Sequence, residues 1–360
     1  MKILYIIDSP LAFTGGCWFH RNHIPGKGLM SMGHQIKLTT INPDMEQEWY
    51  DWPEVAVFSR IYPYDPLPQI RKFKQMGKRV IYEIDDDLWS VNKDNPSVAI
   101  STEKKWQYEH IMQEADAITT TTEYLASKLR KWNKNVFVCP NAIDFDHYLE
   151  RFKQNPKLQI GYTGAASHWK DLELIVDPLL ELQGRHDFEF VLQGMVASPL
   201  ESEAYTMRQM INLGLQPEKT RYMESCLSLY EKLRGLKYYH ISFYVPFLHA
   251  AALRRCDLDI GLAPLWDNEF NRNKSCLKFY EYASLGTACL ASDVLPYNKE
   301  VGYCAKNTHE DWVNKLEKLI VDEKFRKELA DKQQKWVREN RSITIVEKLW
   351  EKAFDPHPNK

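Results

Sequence analysis

Short apolar runs alternate with amphipathic stretches along most of this chain. "KILYIID" opens it as a run suited to a strand buried on both faces. The loop "SPLAFTGGCWFHRN" follows, with Gly15 and Gly16 near its middle, and then a helical stretch. "MGHQIKLTTI" reads as a turn glycine feeding a second strand, and "EVAVFSR" as a third. "PLPQIRKFKQMGK" predicts a helix closed by Gly77. "RVIYEIDDDLW" predicts a fourth strand that runs into three aspartates, and "STEKKWQYEHIMQEAD" a helix with a Ser/Thr start. "AITTTT", "TEYLASKLRKW" and "NVFVCPNAID" continue as strand, helix and strand. Alternating β and α units imply a parallel, doubly wound sheet.

The pattern restarts after the polar segment "DHYLERFKQNPK". "LQIGYTGAASHWKDLELIVDPLLEL" reads as strand, glycine loop and helix, "DFEFVLQGM" as a strand, and "ISFYVPFLHAAALRRCD" as strand then helix. "LDIGLAPLW" leads into "NKSCLKFYEYASLGTACLASD", residues 273–293, a loop, helix and strand. Beyond residue 308 the sequence is helical and charged. Two Rossmann-like units are expected, over 1–153 and 154–335, with a helical segment at 336–360 crossing back to the first. A cleft between the two sets of strand ends is the natural place for a ligand.

Composition adds little beyond an ordinary globular chain, with 44% hydrophobic and 27% charged residues. A net charge of −2 gives no electrostatic reason to expect nucleic acid. The seven scattered cysteines show no CxxC spacing, which suggests reduced thiols, a cytoplasmic setting and no zinc site. No run approaches a membrane span, and "MKILYIIDSP" lacks the form of a signal peptide. In segment 309–340 acids interleave with bases, so membrane contact is at most peripheral.

The candidate chemistry is concentrated in 273–293. Lys274 and Lys278 are four apart, a spacing that shares one helix face, and Glu281 is three further on. Two cations and a carboxylate suit a nucleoside diphosphate: lysines for the charge, the carboxylate for the ribose hydroxyls. Gly15 and Gly16 would let backbone N–H groups approach an anion closely. His20 and Arg21 follow and would face the same space. Asp85, Asp86 and Asp87 leave three options open: acceptor binding or general base, a divalent metal held by a DxD, or a turn or cap. Asn141, His168 and the Tyr244–Pro246 segment are weaker candidates.

In order and spacing, these pieces resemble a GT-B glycosyltransferase of the group 1, family-4-like kind. The Gly-Gly loop, "PNAID", "IGYTGAASHWKDLELI", "FVLQG", "DIGLAPL" and "KSCLKFYEYASLGTACLAS" carry the resemblance across nearly the whole chain. It implies a nucleotide-sugar donor on the second domain and a hydroxyl acceptor, a glycan or lipid-linked molecule, on the first. It implies no metal and no further cofactor. Glu281 stands at the ribose-binding Glu of the family's E-x7-E motif. Asn273 stands at the sugar-contacting Glu, a departure. Gly164 replaces a phosphate-binding Arg, and Lys170 matches its partner lysine. Asp85, Asp87 and His20 are the candidate catalytic groups. Such enzymes are generally retaining, which makes a dedicated base less necessary. The rival readings are a sugar-nucleotide epimerase, a non-catalytic sugar-nucleotide binder and a DNA-modifying glycosyltransferase.

Overall fold

The computed structural model describes residues 1–8, 15–61, 65–91, 102–149, 153–165, 168–195, 200–214, 220–242 and 244–355. The first part of the Gly-Gly loop (9–14) and residues 150–152 of the expected domain boundary lie outside the described residues.

Each half of the chain builds one six-stranded parallel sheet. The first contains β1 (Lys2–Ile7), β2 (Gln35–Thr40), β3 (Val55–Ser59), β4 (Arg79–Glu83), β5 (Ala117–Thr120) and β6 (Val136–Val138), in the order β2-β1-β3-β4-β5-β6. The second contains β7 (Gln159–Ala165), β8 (Glu189–Met195), β9 (Tyr238–Ile241), β10 (Ile260–Ala263), β11 (Ala288–Ser292) and β12 (Cys304–Ala305), in the order β12-β11-β10-β7-β8-β9. The strand order reverses between β1 and β3 in one sheet and between β7 and β10 in the other. Ligands of open α/β sheets bind at such reversals, outside the strand carboxyl ends.

Continuous apolar strands are what two covered faces require. In the first sheet Leu4, Ile6, Phe58, Val80 and Tyr82 pack on one side, and Ile3, Tyr5, Val55, Val57 and Ile81 on the other. In the second, Gly261 lets Tyr282 lie against the strand, since a Cβ there would fall 2.5 Å from its ring. The Tyr282 hydroxyl then accepts the Thr163 N–H at 2.9 Å. This pins the helix Leu277–Ser284 over the β7–β10 reversal.

Two details differ from the sequence expectation. Two amphipathic helices, Leu200–Asn212 and Thr220–Leu233, lie between β8 and β9, where the pattern gave no element. The helix of the 273–293 motif starts at Leu277, so Lys274 precedes it and shares no helix face with Lys278. The "QNPK" segment at the domain boundary is tied to the second domain: Asp257 Oδ2 accepts the N–H groups of Gln154 at 2.8 Å and Asn155 at 2.7 Å.

The chain returns to the first domain at Ser342. Ile143 and Ser342 form a parallel bridge there, between the helices Glu323–Arg341 and Ile343–Phe354. The latter buries Val346, Trp350, Ala353 and Phe354 against Ile3, Tyr5 and Val57. Among the described residues no helix is long and apolar enough to cross a membrane. Trp350 is 1% exposed and lies under the Arg21 guanidinium, 4.6 Å from the ring centroid. A Trp350→Ala variant is therefore expected to lose about 3–5 kcal/mol in urea denaturation. A loss below ~1 kcal/mol would mean that this helix adds little to the first core.

Candidate functional site

A cavity of about 550 Å³ lies where the strand carboxyl ends of the two sheets face each other. The first domain contributes the loops after β1, β3 and β4, through Gly15, Gly16, His20, Arg60, Asp85 and Asp86. The second contributes Gly164 and His168 after β7, with Lys274, Lys278 and Glu281 after β10. Both topological reversals therefore open into one space.

Glu281 anchors one end. It is 5% exposed and accepts the Tyr148 hydroxyl at 2.8 Å. His249 Nε2 is 3.4 Å away and His20 Nε2 3.7 Å. Burial opposes its charge, but His249, then His20 and Tyr148, hold the carboxyl down at about 2. Burial also works against a charge on His249, and Glu281 outweighs it, so that imidazole is raised from its ordinary value. His20 has the opposite fate: burial dominates over the pull of Glu281 and lowers it to about 4. His20 Nδ1 and Gln193 Oε1 are buried without a hydrogen-bond partner, and both residues line the cavity. Such groups are rare, and a bound ligand would satisfy them.

One turn back on the same helix, the Lys278 ammonium forms no ion pair among the described residues. Burial pushes it down to about 8, with Asp171 pulling the other way and Lys274 adding to burial. Lys274 reaches across the cleft to Asp86 Oδ1 at 3.7 Å. His168 precedes the helix Trp169–Gln183, and its Nδ1 pairs with Asp171 Oδ2 at 2.7 Å. Asp171 Oδ1 also accepts the Trp266 N–H at 2.9 Å, which fixes the carboxylate and hence the imidazole. Burial and nearby Lys278 lower His168 to about 4.

On the opposite wall a Cβ on Gly16 would meet nothing within 4 Å, so this backbone stands open to the cavity. Arg60 Nη1 lies 3.2 Å from each of Asp85 Oδ1, Asp86 Oδ2 and Cys17 Sγ. Those three side chains are the group among the described residues that has metal-binding spacing. The point on which they converge is filled by a guanidinium, so the donor set does not fit a divalent ion while Arg60 is in place. Arg60 takes φ +45° to reach it, a sparsely populated backbone region for an arginine.

The site residues expected from the sequence divide between the cavity and its surroundings. Gly15, Gly16, His20, Asp85, Gly164, Lys274, Lys278 and Glu281 come together at the cavity wall. Asp87 does not line it: Oδ2 takes Lys128 Nζ at 2.7 Å and Asn273 Nδ2 at 3.1 Å, and Oδ1 caps the Trp89 N–H at 3.2 Å. Asn273 is also outside, fully buried, with its Nδ2 shared between Asp87 and the Glu269 carbonyl at 2.6 Å. Lys170 is exposed on the first turn of its helix and contributes its carbonyl to Trp266 Nε1 at 2.6 Å. Gly164 has a packing reason to be glycine, since a Cβ would sit 2.8 Å from the Tyr162 hydroxyl.

Residues 273–275 instead join the domains. Asn273 meets Asp87, Lys274 meets Asp86, and the Ser275 hydroxyl accepts from Asn141 Nδ2 at 2.8 Å. Sequence reading missed Arg60, Tyr148 and His249. Arg60 directly follows a strand, a position that signals a cleft residue, whereas Tyr148 and His249 carry no local signal.

No family model matches the chain, and no curated protein matches it in sequence. Solved structures do match its fold. The Anabaena HepE structure in complex with UDP superposes with a TM-score of 0.61 at 12% identity, covering 97% of this chain and 98% of that one. An α-glucosyltransferase in complex with UDP gives 0.62 at 11%, covering 97% and 98%. The apo lipopolysaccharide outer core galactosyltransferase WaaB gives 0.57 at 14%, covering 98% and 99%. These are GT-B structures, and at such identities the likeness is one of fold: this chain has the two-domain GT-B fold.

The neutral imidazoles have a consequence for stability. His20 and His168 titrate near 4 when folded and near 6.5 when unfolded. Below pH 6.5 the unfolded chain binds more protons, so the stability they confer is lost as pH falls from 6.5 towards 4. The melting temperature should drop over that window, and His168→Asn should flatten the drop. A melting temperature constant from pH 7 to 4.5 would contradict the assignment.

Proposed function

We propose that this chain is a glycosyltransferase that moves a sugar from a nucleoside diphosphate donor to a hydroxyl acceptor. The observation that carries this reading is Lys278, a cavity ammonium that forms no ion pair among the described residues, one helical turn from the ionised Glu281. A diphosphate would supply the missing anion, and Glu281 would accept the ribose hydroxyls. The UDP bound in the HepE and α-glucosyltransferase structures makes uridine the first base to test.

In this reading Lys274 and Lys278 stabilise the negative charge that grows on the departing diphosphate. The open backbone at Gly16 faces the same oxygens from the first domain. Asp85 lies on the acceptor side, where it orients a hydroxyl. His20 is neutral at working pH and has a free Nδ1, so it can accept or relay a proton or take a hydrogen bond from the sugar. Retention of configuration is part of the proposal: Asp85 and Asp86 are both engaged by Arg60, so neither stands free as a dedicated base. Metal independence is also part of it, because lysines supply the charge a divalent ion would otherwise bring. Activity is expected to survive EDTA, and loss of activity restored by Mg²⁺ or Mn²⁺ would overturn this point.

Calorimetric titration tests the donor site. Lys278→Met should weaken UDP binding tenfold or more, about 1.5–3 kcal/mol for a charged hydrogen bond. Melting should be unchanged or raised, because a half-buried charge with no ion pair among the described residues is removed. UDP affinity of the natural chain should fall above about pH 8, as free Lys278 loses its proton. Lys278→Arg should remove that fall. UDP binding that is unaffected by Lys278→Met would refute the site.

A further inference from the structure

We infer that Asp86 reads the hydroxyls of the transferred sugar. The inference rests on the nucleotide-sugar reading above and assigns a residue of the first domain to donor specificity.

The order of groups along the cavity is the first reason. Glu281, Lys278 and Lys274 succeed one another along a single segment, and Asp86 stands 3.7 Å beyond Lys274. A nucleoside diphosphate sugar has the same order of ribose, diphosphate and sugar. With Glu281 on the ribose and the lysines on the diphosphate, the hexose falls against Asp86.

The second reason is how Asp86 is held. Its side chain is 20% exposed and lines the cavity. Arg60 approaches Oδ2 at 3.2 Å from its own domain, and Lys274 approaches Oδ1 from the other. Burial would raise its carboxyl, but Lys274 and then Arg60 outweigh burial and lower it. An ionised carboxylate only accepts hydrogen bonds, and each oxygen keeps a second lone pair. Two adjacent acceptors suit a pair of neighbouring sugar hydroxyls.

The third reason is that the nearby alternatives are spent. Asp87 is turned away onto Lys128, Trp89 and Asn273. Asn273 is sealed outside the cavity wall. Asp85 is held by Arg60 and, among the described residues, makes no hydrogen bond or ion pair to the second domain, which leaves it to the acceptor side. Asp86 is the one of the three aspartates that pairs with a proposed diphosphate ligand.

The test compares UDP with a panel of UDP-glucose, UDP-galactose and UDP-N-acetylglucosamine by calorimetry, on the full chain and on Asp86→Asn and Asp86→Glu. The Kd ratio of UDP to the preferred UDP-sugar, taken on one preparation, does not depend on how much of a variant folds. Asp86→Asn should bind UDP as well as the natural chain or better, because Lys274 loses a competing anion. Its ratio should fall at least fivefold. Asp86→Glu, a longer carboxylate, should change which sugar is preferred. An unchanged ratio in Asp86→Asn overturns the inference, also where the acceptor KM rises instead. If the natural chain binds UDP and this ratio is unchanged, Asp86 alone is misassigned. If the natural chain binds neither UDP nor any UDP-sugar, the donor reading itself fails.

Discussion

The cleft is built on one buried ion pair. Arg21 is 1% exposed, and its Nε donates to Glu83 Oε1 at 2.6 Å. The same guanidinium donates to the Cys139 carbonyl at 2.7 Å and to Asn141 Oδ1 at 2.9 Å, and it stacks on Trp350. One side chain therefore ties together the helical stretch after the Gly-Gly loop, the end of β4, the loop after β6 and the returning C-terminal helix. Removing one partner of such a pair leaves an unpaired buried charge and costs about 3–5 kcal/mol. Burial works against both charges: at Arg21 the neighbouring Glu83 more than offsets it, whereas at Glu83 burial outweighs Arg21 and Thr119 and raises the carboxyl. This hydrogen-bonded pair is the floor on which His20, the three aspartates and Asn141 are placed.

From that floor the second domain is reached through polar contacts. Asn141, fixed by Arg21, donates to Ser275, and its neighbours Lys274 and Asn273 meet Asp86 and Asp87. Phe247 adds an aromatic contact, edge-on to Phe19 at 5.2 Å and against Trp18 at 5.5 Å. Hydrogen bonds with net values near ~1 kcal/mol can be exchanged for ligand contacts at little cost. The Lys274–Asp86 pair, at 3.7 Å, is loose enough for a diphosphate to compete for Lys274. The two domains thus meet around a site whose charges are only partly matched, and the imbalance centres on Lys278.

The sequence carried the two-domain α/β plan because parallel strands buried on both faces leave continuous apolar runs. It also carried Lys278 and Glu281: a charged helix face is usually a solvated surface, but this one follows a strand in the second of two Rossmann-like units, where strand carboxyl ends open on a cleft. It misplaced Lys274 because "NKSCLKFYEY" gives no stop signal to show that the helix begins at Leu277. It placed Asp87 and Asn273 in the site because strand-end position and motif spacing do not reveal which way a side chain turns. In the fold they face each other across the domain boundary, 186 residues apart in sequence. It missed His249 and Tyr148 for the same reason: both reach Glu281 only through tertiary packing.

The central claim is that one cavity, spanning both domains, holds a nucleotide sugar with the ribose at Glu281 and the diphosphate at Lys274 and Lys278. A crystal structure of the chain soaked with UDP tests it most directly. The expected result is ribose oxygens within hydrogen-bond distance of the Glu281 carboxylate and phosphate oxygens between the two lysines and the Gly16 backbone. UDP bound elsewhere, or bound here with its ribose away from Glu281, would contradict the account.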